Sequence, residues 1–237
     1  MILQKIKLTD FRNFEEKILE ISPQVTVIVG PNALGKTNIL ESIYLLSTGK
    51  SFKAKVEEEM INLEKDIARV KGRVFDEEES IDLEIVLTRG FIDIGKSAPE
   101  KVARKRLLVN GMGKRLLDFS GKLKTTLFGP WDMDLITESP SIRRRFLDNV
   151  LILTDREYHR SLISYEKGLK QRNRLLFRIR EEGLNRSQLL FWDRLLIKNG
   201  DYIMNKREEL ITFMNNSPEL DSQIFNIEYD RSTISES

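Results

Sequence analysis

The sequence predicts an α/β fold: a mixed sheet that carries a glycine loop, with a helical arm lobe inserted in it. Three observations predict it. A short apolar run, "VTVIV" (Val25 to Val29), leads into "GPNALGKTN" (Gly30 to Asn38) and then into a stretch of helical periodicity. Residues 68 to 128 alternate mostly as strands. Between Tyr158 and Leu210, two long stretches repeat apolar residues at 3–4 spacing and are parted by Gly183-Leu184-Asn185. The expected divisions are a lobe with an antiparallel β portion at 1–150, an arm at 151–216, and an incomplete return toward the sheet at 217–237.

In chain order, Ile6 and Leu8 alternate with Lys5, Lys7 and Thr9, giving an opening strand with one wet face. Leu19 and Ile21 suggest a second strand, closed by Ser22 to Gln24. Val25 to Val29 is β-branched and continuously apolar, as expected of a strand buried on both faces. Ile39, Leu40, Ile43, Tyr44 and Leu46 recur at helical spacing, and Gly49 is a candidate C-cap. Ala68, Val70 and Val74 share one strand face, with Arg69, Lys71 and Arg73 on the other. Ile81, Leu83, Ile85 and Leu87 alternate again, residues 89–104 read as a loop with Gly95 and Pro99, and Asn110-Gly111 reads as a hairpin turn. Ser139 suits a helix N-cap, Pro140 its first position, and Phe146, Leu147, Val150 and Leu151 its apolar face. The arm is expected as two antiparallel helices, 156–182 and 187–215, each about 40 Å long. Tyr158, Leu162, Tyr165, Leu169 and Leu176 form one seam, interrupted by Arg172, and Trp192, Leu196, Ile203 and Leu210 form the other. After Pro218, Phe225, Ile227 and Tyr229 alternate as a strand re-entering a sheet.

Composition narrows the chemistry. The 237 residues carry 39 Lys+Arg against 37 Asp+Glu, a net charge of +2, so any interest in nucleic acid must come from local patches. With no Cys there is no disulfide framework, thiolate zinc site or Cys nucleophile, and the single His159 excludes a cluster of His ligands. No apolar run approaches the ~20 residues of a membrane span. "MILQKIKLTDF" reads as a strand and not as a signal peptide, so no membrane and a cytoplasmic location are expected.

Gly30 to Asn38 satisfies G-x-x-x-x-G-K-[ST] at every fixed position. Phosphates need many N–H donors at close range with no Cβ in the way. Gly30 and Gly35 let the backbone turn its amides inward, flanking Pro31, Asn32, Ala33 and Leu34. A helix starting near Lys36 adds the positive end of its dipole. Lys36 would reach β- and γ-phosphates, and Thr37 would hold Mg²⁺. ATP and Mg²⁺ are therefore the expected ligands. In "RRR" (Arg143 to Arg145), Arg143 projects at 100° per residue into the apolar arc of its helix, so a buried or interfacial role with a carboxylate, phosphate or carbonyl partner is expected.

Five stretches carry a family likeness: "LTDFRNF" (Leu8 to Phe14), "VGPNALGKTNILESIYLLSTGKSF" (Val29 to Phe52), "VNG" (Val109 to Gly111), "FGPWDMDLITESPSIRRRFLD" (Phe128 to Asp148) and "YEKGLKQRNRLL" (Tyr165 to Leu176). In these the sequence resembles the RecF family of DNA-repair ATPases, whose heads are similar to those of ABC and SMC proteins. The resemblance implies an ABC/SMC-type ATPase head that binds ATP, dimerises head to head, and binds duplex, single-stranded and gapped DNA. It implies partnership with RecR and RecO, assistance to RecA loading, and a place in the DNA-damage (SOS) response. It also implicates Arg12 and Asn13 near the nucleotide, and "STGKSF" (Ser47 to Phe52) on the nucleotide or DNA side, with a plain helix C-cap at Gly49 as the competing reading. The family's signature segment and acidic Walker B run have no counterpart here; "QIFNIEYD" ends in Asp230 alone. The tail reads as a returning sheet cut off, which leaves ATP hydrolysis by this chain open.

Lys167, Lys170, Arg174 and Arg178 form one helical stripe suited to sequence-independent phosphate contacts. Arg69, Lys71 and Arg73 form a second candidate DNA face. Two other classes compete. One is a P-loop kinase of a small metabolite, which would leave the arm without a role. The other is a partner-binding fragment that does not hydrolyse ATP.

Overall fold

The computed structural model describes residues 1–76, 79–92, 100–216 and 226–230. They fall into two compact units, Met1–Phe128 and Gly129–Ser237. The helix at Pro140–Thr154, grouped with the 1–150 lobe on sequence, thus belongs with the arm, because its packing partners are the arm helices.

The first unit is a six-stranded sheet ordered β2-β1-β3-β4-β7-β8: β1 Ile2–Phe11, β2 Phe14–Glu20, β3 Ile67–Asp76, β4 Glu79–Thr88, β7 Lys105–Val109 and β8 Met112–Lys114. Every pairing among the described residues is antiparallel. Alternation holds as expected: Ile6, Leu8, Ala68, Val70, Val74, Leu83, Ile85 and Leu87 are fully buried on one face. Helix α1 (Lys36–Thr48) covers that face with Leu45 and Leu46. Gly72 permits the close approach, since a Cβ there would lie 2.7 Å from Leu46 Cδ1. Each buried aliphatic side chain contributes about 1.5–3 kcal/mol. Gly49 ends α1 in the left-handed region and donates to the Leu45 carbonyl at 2.8 Å. Leu40, placed on the apolar face by spacing, is exposed, and Glu41 is buried in its stead. Asn110 and Gly111 both have positive φ, the geometry of the expected hairpin turn. Within the stretch read as a loop, β5 (Phe91–Ile92) pairs with β6 (Glu100–Lys101); Gly95 and Pro99 lie outside the described residues. A short helix, α2 (Leu116–Phe119), closes the unit's core with Phe119.

One expectation fails here. Residues 25–29 form no strand, and Val25, Val27 and Val29 are 74%, 75% and 82% exposed. Only Ile28 packs against the core. A strand exists by pairing, and no described segment offers this run a ladder.

The second unit holds a short α3 (Asp134–Thr137), α4 (Pro140–Thr154), α5 (Arg156–Glu182) and α6 (Leu189–Asn215). Pro140 occupies the first turn of α4, as expected, and Leu147 and Leu151 are buried; Ser139 stands at the N-cap position, but its hydroxyl pairs with that of Ser141 and caps no amide. The arm helices run antiparallel. Tyr158 meets Arg207, Tyr165 lies against Gly200, Gly168 against Leu195 and Leu196, and Arg172 pairs with Asp193. Toward the turn the seam shifts by one residue: Gly168 and Leu175 are buried, whereas Leu169 and Leu176 are exposed. Asp148 of α4 takes a bidentate pair from Arg207 at 2.7 and 2.9 Å and a hydrogen bond from the Tyr158 hydroxyl. Burial, then this bond, pushes the Tyr158 phenol well above its ordinary pKa.

Arg143 is exposed and not buried; its guanidinium folds back onto the carbonyls of Leu135 and Glu138 at 3.3 and 3.4 Å. A first-turn side chain can reach the preceding turn, which satisfies the cation without a buried partner. Ile227 and Tyr229 do not form a strand either. Asn215 instead exchanges two 2.9 Å hydrogen bonds with the Ile227 backbone. Pro218 and Phe225 lie outside the described residues.

Candidate nucleotide-binding site

Gly30 and Gly35 stand at φ 152° and 92°, and Ala33 at 67°, so the loop turns through conformations that favour glycine. A Cβ on Gly35 would lie 2.6 Å from both Asn13 Oδ1 and Phe14 Cζ. The β1–β2 turn is thus packed against the loop's last residue. Helix α1 begins at Lys36 with no side-chain cap and no acid in its first turn. Its first amides and its positive dipole end are left for an anion. Lys36 Nζ donates to the carbonyls of Gly30 and Pro31 at 2.6 and 2.7 Å, arching over the loop. Pro31, Asn32, Leu34 and Thr37 are exposed around it.

Asn13 and Asn38 brace this loop. Asn13 Nδ2 donates to the Leu34 carbonyl at 3.3 Å, Asn38 Nδ2 to Asn13 Oδ1 at 2.8 Å, and Lys53 Nζ to Asn38 Oδ1 at 3.2 Å. Arg12 lies differently. Its guanidinium pairs with Glu41 at 2.6 and 2.9 Å and donates to the Glu59 carbonyl. Glu41 is 0% exposed and also accepts from the Ser51 hydroxyl. Arg12 therefore holds the P-loop helix, and through it the loop. Glu41 and Lys53 were not singled out by sequence. The one signal was that Glu41 is the only carboxylate in Lys36–Thr48.

The protein-family description "AAA ATPase domain" matches residues 1–236. The chain belongs to that family. It is 38% identical over 223 residues to the DNA replication and repair protein RecF of Herpetosiphon aurantiacus, covering 90% of this chain and 57% of that protein. Over 218 residues it is 35% identical to the RecF of Lachnoclostridium phytofermentans, covering 91% and 57% respectively. A solved structure of the recombination mediator protein RecF-ATPrS in the RecFOR pathway superposes with a TM-score of 0.82 at 32% identity, covering 91% of this chain and 55% of that one. Its RecF-ATP counterpart gives 0.80 at 31%, with the same coverage. The RecF likeness read from the motifs holds, and the fold is that of a RecF-type ATPase head. The chain spans little more than half the length of these relatives.

The two candidate DNA faces differ sharply. On β3, Arg69 and Lys71 both pair with Glu84, at 3.0 and 3.2 Å, and Arg73 pairs with Asp82 at 2.8 Å. Lys71 and Arg73 sit directly opposite those acids in the β3–β4 register. Two carboxylates thus answer three cations, and Arg69 and Lys71 share one of them. On α5, Lys167, Lys170, Arg174 and Arg178 are all exposed. Only Arg178 has a carboxylate partner among the described residues, Glu182 one turn on.

Proposed function

We propose that the chain binds ATP with Mg²⁺ at Gly30–Asn38 and that this binding controls a DNA-contacting surface on α5. The observation that supports the nucleotide half most strongly is the uncapped, acid-free start of α1, beside a glycine that the Asn13–Phe14 turn leaves no room to replace. Such a donor set fits a triphosphate. The loop and first-turn amides would donate to phosphate oxygens. Lys36 would exchange the Gly30 and Pro31 carbonyls for them, and the Thr37 hydroxyl would turn to the metal. Bound Mg-ATP supplies the charge that draws these groups together.

The RecF likeness supports the remainder: a cytoplasmic protein of recombinational repair and replication that binds single-stranded, duplex and gapped DNA, dimerises with ATP, and acts with RecO and RecR toward RecA. Binding, not turnover, is the activity proposed for this chain. Calorimetry with Mg-ATP and light scattering on the same sample test it. The expected result is stoichiometric binding and an ATP-dependent rise in mass, both lost in Lys36→Met. Equal binding by Lys36→Met would overturn it.

A further inference from the structure

A pocket of about 400 Å³ opens between α5 and α6 beside the turn that joins them, lined by Gln171, Arg174, Leu175, Arg178, Gln188 and Trp192. Its chemistry is specific: one indole, two guanidiniums and two carboxamides around an apolar residue, Leu175, which is buried. No carboxylate lines it. Trp192 is half-buried and is steadied edge-to-face by Phe191, with ring centres 5.0 Å apart. Arg174 and Arg178 are also the C-terminal half of the basic stripe, so the stripe runs into the pocket. The Arg178–Glu182 pair is exposed, and an exposed pair holds its partners weakly enough for a phosphate to replace the acid.

We propose that this pocket takes one unstacked base of a single-stranded DNA segment whose phosphates follow Lys167, Lys170 and Arg174. The proposal rests on the reading of α5 as the DNA-contacting surface. An indole offers a π-face that any base can stack on, and carboxamides both donate to and accept from base edges. A duplex hides its base faces in the stack, so the pocket selects single strands, whereas the stripe alone accepts either form.

The sequence holds two tryptophans, Trp131 and Trp192. In a Trp131→Phe background, Trp192 is the sole indole reporter. A short oligothymidylate is expected to quench its emission; a duplex of equal length is not. Trp192→Ala is expected to weaken single-strand affinity about tenfold to a hundredfold, the loss of one stacked base, and to leave duplex affinity unchanged. Trp192→Phe, which keeps an aromatic face, should restore most of it and controls for folding of the arm. Single-strand binding with unaltered Trp192 emission and no effect of Trp192→Ala would overturn the pocket and leave the stripe standing. Absence of binding to either DNA at low salt would remove the reading of α5 as well.

Discussion

Arg12 and Asn13 are neighbours in sequence with separate tasks. Arg12 spans from the β1–β2 turn to a carboxylate wholly withdrawn from water, and each charge depends on the other. Removing one partner of such a pair costs about 3–5 kcal/mol, so Glu41→Gln should lower the denaturant midpoint by that equivalent, with the slope unchanged. Asn13 makes two exposed hydrogen bonds at the loop, each worth about 1 kcal/mol. Asn13→Ala should lower the midpoint by the equivalent of about 2 kcal/mol at most, less than Glu41→Gln, and weaken Mg-ATP binding about tenfold by calorimetry, because the loop loses its brace. Equal losses of stability in the two variants would contradict this division. The loop itself was legible because its constraint is local: glycines, lysine and helix start lie within nine residues. Glu41 was not, because its partner lies 29 residues upstream on another element.

At the scale of elements, strand alternation and helix period were readable, and register was not. The cations of β3 formed a stripe in one dimension; across the β3–β4 ladder Glu84 and Asp82 answer them. Arg69→Ala with Lys71→Ala should therefore change DNA affinity and its salt slope less than the same change on α5 does. Lys167→Ala with Lys170→Ala should weaken binding and reduce the log–log salt slope by about one for each phosphate no longer neutralised. The 3₁₀ turn at Glu57–Met60 is tied to β7 by Lys105, whose Nζ lies 2.6 Å from Glu57 Oε1. That hydrogen bond, acting against partial burial, holds the Glu57 carboxyl below its ordinary pKa. A depressed folded pKa means the contribution is complete above the unfolded value, near pH 4.3, and is lost as pH falls through the folded one. Lys105→Ala should accordingly flatten the acid limb of the melting-temperature profile below about pH 4.3 and lower the neutral plateau.

At the scale of the whole molecule, the run Val25 to Val29 is the point where local pattern and three-dimensional context part. Its residues are those of a strand covered on both faces, yet three valines point into water immediately before the phosphate loop. An unpaired, β-branched apolar segment is a template for another chain, and proteins normally blunt such edges with charge or cover them. The run lacks charge altogether. A further strand laid along it would bury the valines and steady the backbone that enters Gly30. The expected consequence is self-association that rises with concentration and needs no nucleotide. Sedimentation should show species above 27.6 kDa without ATP. Val25→Lys with Val27→Lys should return the chain to monomer and leave far-UV circular dichroism unchanged, since neither side chain has packing to lose. If the double variant still associates without ATP, the contact lies elsewhere; if it becomes monomeric but still dimerises with Mg-ATP, the edge and the nucleotide-dependent interface are separate surfaces.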